Sequence, residues 1–246
     1  MTRIFVLLLL VFCAASLNAQ ESIAPDTIVI SGIVSDFDNV PVDSAFVEIK
    51  HPDFSTAYKA YSDKNGRYEI RVRKGKYLAL AAIKHSEYPL LGSVLPKDEQ
   101  RLEFWCWNLI ANENLAINVR YNRLEVYGVN VFHIYGASRG YTIYCRPMSL
   151  TRAFDSDKEL SHTDLCPDPD ELLVAIRING EPVKVNMKEK VREYVSQGIC
   201  FGYLIHVDLP RPDNEKPYDI LQIEMQDKKT GDKGEAFYFI EKGKYN

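Results

Sequence analysis

Polar and apolar residues alternate with a period of two through much of the first half of the chain. In Ala45-Phe46-Val47-Glu48-Ile49-Lys50, the residues Ala45, Val47 and Ile49 fall on one face. In Arg67-Tyr68-Glu69-Ile70-Arg71-Val72, the apolar side chains Tyr68, Ile70 and Val72 face one way and the charges the other. Such alternation marks half-buried antiparallel strands, with Arg67 and Arg71 on a solvated sheet face. Between these runs lies Asp63-Lys64-Asn65-Gly66. Asn and Gly tolerate positive φ, so a tight hairpin turn is predicted there, with Gly66 in a conformation that disfavours a side chain. Lys74-Gly75-Lys76 punctuates the chain again, and residues 77–84 read as the next strand.

Further strands are predicted over residues 115–121, 124–135, 141–146, 172–178, 201–209, 220–226 and 236–240. Residues 136–140 and 229–234 look like hairpin connections. One stretch breaks the pattern. Met187, Val191, Tyr194 and Val195 recur at helical spacing, with Asn186 as a candidate N-cap, Glu189 three residues later and Gly198 as a stop. This predicts an amphipathic helix laid over an open end of the sheet core. Residues 155–171, rich in Asp and Pro, read as an exposed acidic loop. The fold expected is all-β: two consecutive immunoglobulin/transthyretin-like β-sandwich domains, with one short helix in the second. The first domain spans residues 26–101 and the second 102–246. The Leu102-Glu103-Phe104-Trp105-Cys106-Trp107 stretch is too aromatic for a free linker and is expected as a strand packed at the junction.

The N-terminal 19 residues have the three parts of a secretory signal. Arg3 gives the positive start, an apolar run follows, and Leu17-Asn18-Ala19 ends in a small residue before Gln20. The run is shorter than the roughly 20 apolar residues a bilayer span requires. The mature chain is expected to begin near Gln20, to carry no transmembrane segment, and to reside in the periplasm or at the cell surface. The chain has 30 Lys and Arg against 34 Asp and Glu, for a net charge of −4. That mild acidity argues against a nucleic-acid partner, which would select clustered Lys and Arg. Of five cysteines, Cys13 leaves with the signal. Cys106, Cys145, Cys166 and Cys200 admit three full pairings in an oxidising compartment, or a set of buried free thiols.

The segments Ser31-Gly32-Ile33-Val34, Val42-Asp43-Ser44-Ala45-Phe46-Val47, Asp63-Lys64-Asn65-Gly66-Arg67-Tyr68 and Gly75-Lys76-Tyr77 together resemble the carboxypeptidase regulatory-like module, a transthyretin-like β-sandwich. The resemblance covers residues 28–88. Val40-Pro41 stands where that family often has a turn glycine, and His85-Ser86-Glu87-Tyr88 where a Gly-Tyr pair is common. The family's module is an accessory unit, so the resemblance implies no catalytic residue here.

A search for chemistry returns little. His51, His85, His133, His162 and His206 are dispersed, and none forms a His-Glu-x-x-His or His-x-x-Glu spacing. Asp164, Asp168, Asp170 and Glu171 do not match a calcium loop. There is no Gly-x-Ser-x-Gly elbow and no glycine-rich phosphate cradle. No catalytic residue, metal ligand or cofactor is therefore assigned. The remaining signal is aromatic. Trp105 and Trp107, with Tyr141 and Tyr144, are the candidate binding residues, since flat rings stack on sugars or seat peptides. The alternative is that Trp105 and Trp107 cement the two sandwiches, because Phe104 and Cys106 make the opposite face apolar as well. The function expected is that of an exported, non-catalytic binding or structural protein of a bacterial envelope, with an envelope protein or glycan as partner. A carbohydrate-binding module is the second expectation and an envelope hydrolase the third.

Overall fold

The structure, a computed structural model, describes residues 26–134, 136, 139–156, 164–195, 198–209 and 215–243. The signal segment and Cys13 lie outside the described residues, as do Tyr135 and the middle of the acidic loop. The chain is all-β. In the first part the strands are β1 (Thr27–Ser35), β2 (Phe46–Lys50), β3 (Thr56–Tyr61), β4 (Arg67–Arg73), β5 (Gly75–Ile83), β6 (Phe104–Ala111), β7 (Leu115–Ala116) and β8 (Val119–Arg120). The second part holds β9 (Leu124–Phe132), β10 (Tyr141–Ser149), β11 (Leu172–Ile178), β12 (Glu181–Pro182), β13 (Val185–Val195), β14 (Gly198–Val207), β15 (Tyr218–Asp227) and β16 (Lys233–Glu241). The α-helix α1 (Leu150–Phe154) follows β10, its N-terminus capped by Ser149, whose side chain accepts from the Arg152 N–H.

Three sheets form. An eight-stranded central sheet runs β12-β11-β15-β16-β6-β5-β2-β3; a flanking sheet runs β4-β1-β7 with β8 also on β1; an outer sheet runs β13-β14-β10-β9. The two halves of the central sheet meet where β6 and β16 pair in parallel. Because residues alternate across each strand, the central sheet has two apolar faces. One face, with Ile49, Leu80, Phe104, Cys106 and Phe239, packs on Ile30, Tyr68 and Val72 of the flanking sheet. The other, with Trp105, Trp107, Leu221, Ile223 and Ala236, packs on Val129, Ile143, Tyr203 and Ile205 of the outer sheet. Two sandwiches thus share one continuous sheet. Residues 104–120, which the sequence reading grouped with the second unit, hydrogen-bond to β5 and β1.

One element differs from expectation. Where a helix was predicted from Asn186, the chain forms the strand β13, antiparallel to β14, which the predicted stop Gly198 opens. The stretch fits either period, since its charges also alternate. Cross-strand hydrogen bonds to β14 satisfy the backbone that a helix would otherwise have paired internally. The helix that does form is five residues long and lies at Leu150–Phe154.

The turn at Gly66 is as read. Its φ is +74°, its carbonyl accepts from the Val34 N–H at 2.7 Å, and an added Cβ would lie 2.3 Å from the Val34 oxygen. Gly66→Ala is expected to destabilise the fold by about 1 kcal/mol or more. A denaturant melt with an unchanged midpoint would contradict this. The alternation of β4 also holds: Tyr68, Ile70 and Val72 are buried, Arg67 and Arg71 exposed. Cys106, Cys145 and Cys166 are buried free thiols and Cys200 is a half-buried one.

Candidate recognition site

The site is built on β6, the strand shared by the two cores. Alternation sends Phe104 and Cys106 to the flanking-sheet side and Trp105 and Trp107 to the other. Cross-strand register extends these two positions into rows. Trp105, Ala81, Glu48 and Lys59 stand opposite one another across β6, β5, β2 and β3, as do Trp107, Ala79, Lys50 and Thr56. Directly opposed residues share a face, so two indoles, two alanine methyls and an acid–base pair line one shelf of the central sheet.

The indoles stack with centroids 4.5 Å apart and planes 13° from parallel. Tyr127 meets both edge-on, at 5.6 and 5.2 Å. Tyr127 comes from β9, which packs on β6, β15 and β16. The β9–β10 register slips between Tyr144 and Arg146, and Gly128 takes φ +62° at that slip, an irregularity of the bulge type that re-aims a strand's side chains. Phe54, in the β2–β3 turn, also meets Trp105 and Trp107, at 6.4 and 6.5 Å and again edge-on. Trp105 is 4% and Trp107 7% exposed, whereas Phe54 is 48% exposed.

Carboxyl groups close one end. The Trp105 Nε1–H donates to Glu125 Oε1 at 2.9 Å. Glu125 is buried and hydrogen-bonds Glu103. Burial, and then the charge of Glu103, push the Glu125 carboxyl well above the usual range. Burial raises Glu103 too, against the opposing pull of Lys50. Glu48 is held instead by Lys50 at 2.6 Å and by the Thr56 hydroxyl at 2.5 Å. The phenols of Tyr88 and Tyr127 are raised, first by burial and next by these carboxylates. Among the described residues, the buried Trp107 Nε1–H meets no acceptor.

Glu103 stands near enough to Glu125 for its charge to raise that carboxyl. The shelf offers flat apolar surface and hydrogen-bond acceptors, which are the elements of recognition. Among the described residues no three His, Cys, Asp or Glu side chains gather to hold a metal ion, and no helix is long and apolar enough to cross a membrane.

No family model matches the chain, and no curated protein matches it. Among solved structures, BcpA, the major pilin subunit of Bacillus cereus, is similar at 13% identity, covering 87% of this chain and 68% of its own, with a TM-score of 0.27. A Bacteroides uniformis protein described as a "putative carbohydrate binding protein" is similar at 12% identity, covering 89% of this chain and 100% of its own, with a TM-score of 0.29.

Of the four aromatic residues singled out from sequence, Trp105 and Trp107 lie together on the shelf. Tyr141 is elsewhere in the second core; its hydroxyl donates to Asp219 Oδ2 at 3.0 Å, and its ring lies 4.4 Å from that of His133. Tyr144 is one step out of phase with the core-facing Ile143 and Cys145 on β10, so it sits on the opposite face. There its hydroxyl accepts from Arg146 Nε at 2.6 Å. Sequence reasoning missed Phe54, Glu103 and Glu125. Glu125 did leave a trace, as a charge between the apolar neighbours Leu124 and Val126 in a predicted strand.

Proposed function

We propose that the chain is an exported, non-catalytic recognition protein of a bacterial envelope, binding an envelope protein or glycan through the aromatic shelf. The observation that carries this reading is the aromatic cluster of Trp105, Trp107 and Tyr127 with the half-exposed Phe54 at its rim. The three-part N-terminal segment and the resemblance of residues 28–88 to an accessory module support export and a non-enzymatic role. A second reading, that the indoles only fasten the two sandwiches together, is favoured by their low exposure.

The test has two arms. The purified mature protein, starting at Gln20 by mass spectrometry, is expected to hydrolyse no peptide or glycoside in broad panels, with or without added zinc or calcium. Cross-linking in the native envelope is expected to attach it to a protein or glycan. Turnover that vanishes on replacing a single Asp, Glu or His would overturn the proposal.

A further inference from the structure

We propose that Cys145 and Cys166 form a disulfide in the exported chain, a covalent staple that fastens the segment after α1 onto the outer sheet. This rests on the export part of the proposed function and names the one cysteine pairing that the fold permits.

The fold sorts the four cysteines of the mature chain into three places. Cys106 lies on the flanking-sheet side of β6, in the first core. Cys145 and Cys166 both lie in the second core, 0% and 3% exposed. Cys200 stands directly opposite Glu193 across β14 and β13, and its Sγ–H donates to Glu193 Oε2 at 3.5 Å. Arg146 pairs with the same carboxylate, so Cys200 shares the outward face of the outer sheet with Tyr144 and Arg146. The central sheet stands between Cys106 and the second core. Packed sheets lie about 10 Å apart, whereas a disulfide needs Cα atoms about 4.4–6.8 Å apart. Cys200 and Cys145 point to opposite faces of one sheet, and side chains that diverge cannot be bridged. Among all bonds between these cysteines, only Cys145–Cys166 joins two side chains of one core.

Hydrogen bonds hold the chain around Cys166 against the strand that carries Cys145. Cys145, Tyr203 and Lys190 stand opposite one another in a row across β10, β14 and β13. The Tyr203 hydroxyl donates to Pro167 O at 2.7 Å, and Lys190 Nζ donates to Cys166 O at 2.8 Å. Further along β10, the Ser149 N–H donates to Leu165 O at 2.9 Å. Residues 165, 166 and 167 are thus each tied to β10 or to the row that contains Cys145. Lys190 also binds Asp164 Oδ2 at 2.6 Å and Asp168 Oδ1 at 2.8 Å, so one ammonium fixes the segment on both sides of Cys166. The two thiols also feel one another. Burial raises the Cys145 thiol, and the charge of an ionised Cys166 raises it further. The Tyr203 phenol is raised first by burial and next by Cys166, with Cys145 contributing as well.

The bond forms by exchange with a disulfide oxidant of the exporting compartment, either a small molecule or a protein. One cysteine thiolate attacks a sulfur of the oxidant, and the oxidant's other sulfur leaves as a thiolate. The second cysteine loses its proton and attacks its partner's sulfur in the mixed disulfide, which releases the remaining half of the oxidant. Two electrons pass to the oxidant, which ends as two thiols carrying the two protons. Both cysteines are shielded from any oxidant once the core has closed, so the exchange accompanies folding. The bond encloses residues 146–165 and hence α1. Closing that loop restricts the unfolded chain and stabilises the fold.

The test has an arm in the cell and an arm in solution. Cells are lysed directly into denaturant and alkylating reagent, and the chain from the envelope fraction is digested without reductant. One cross-linked species joining the Cys145 and Cys166 peptides is expected, lighter by two hydrogens than the separate peptides. Alkylation is expected at Cys106 and Cys200 alone, and at all four cysteines after reduction. In solution, the reduced mature chain is refolded from denaturant in mixed reduced and oxidised glutathione. The same bond is expected, with a melting temperature roughly 5 °C or more above that of the reduced protein. Cys145→Ser and Cys166→Ser should each abolish that difference, and Cys200→Ser, on the outward face, should keep it. The proposal is overturned if all four thiols react in the envelope or refolded protein, if the bond includes Cys106 or Cys200, or if reduction leaves the melting temperature unchanged. Each of these results leaves the export reading standing. A chain found only in the cytosol with Met1 retained would overturn the export reading and the proposal together.

Discussion

Replacing Trp105 and Trp107 together by alanine is expected to remove most of the protein's stability. Each indole is almost fully buried, and each is in contact with the other, with Tyr127 and with Phe54. Truncating a buried aromatic residue to alanine costs about 3–5 kcal/mol through lost transfer energy and the cavity left behind. The stacked pair will not add simply, because each ring loses its partner in the single variants. Even a sub-additive sum approaches the roughly 5–15 kcal/mol that holds a typical domain folded. Removing Trp105 also strips Glu125 of the donor at 2.9 Å. Thermal unfolding followed by far-UV circular dichroism should show a transition lowered by about 10 °C or more, or no cooperative transition. A melting curve like that of the unaltered protein, with binding lost, would place the rings on an open surface and contradict the burial described above.

Glu125→Gln is expected to stabilise the protein at neutral pH, and the gain should disappear in acid. The Glu125 carboxyl has a folded-state pKa above its value in the unfolded chain, because burial and Glu103 both disfavour its ionised form. For a carboxyl shifted in that direction, the protonated form is the one compatible with the fold. Its favourable contribution is complete below the unfolded value of about 4.3 and is lost as pH rises through the folded value. Glutamine keeps the oxygen that accepts from Trp105 and presents an amide N–H to Glu103, so it imitates the protonated acid at every pH. Melting temperatures measured from pH 3 to pH 8 should coincide for the two proteins at the acid end. They should separate above it, the variant rising by roughly 3 °C or more at pH 8, as a gain of about 1 kcal/mol produces in a chain of this size. A variant less stable at pH 8 would show that the ionised carboxylate is an asset to the fold, and the upward shift of Glu125 would fall.

Much of the fold was legible because a strand's burial repeats every two residues. Residues 67–72 expose and bury as their polarity dictates, and the turn before them forms at Gly66 because few other residues tolerate its positive φ. The Met187–Val195 stretch failed for the complementary reason. Its apolar residues satisfy a helical spacing and its charges a strand spacing, so local pattern was ambiguous, and pairing with β14 decided it. The cluster around the indoles was half visible. A spacing of two puts Trp105 and Trp107 on one face of any strand. No local rule could bring Phe54 from the β2–β3 turn or Glu125 from β9 to meet them.

The sequence by itself determined the strand-rich class, the principal turn, and the pairing of Trp105 with Trp107, because each depends on residues within a few positions of one another. Tertiary structure alone decided that β6 lies inside a sheet shared by two cores, since that follows from its parallel pairing with β16, more than a hundred residues away. That placement buries both faces of β6. It turns two aromatic residues that could have been a surface platform into a covered one, and it buries Glu125 against the Trp105 indole.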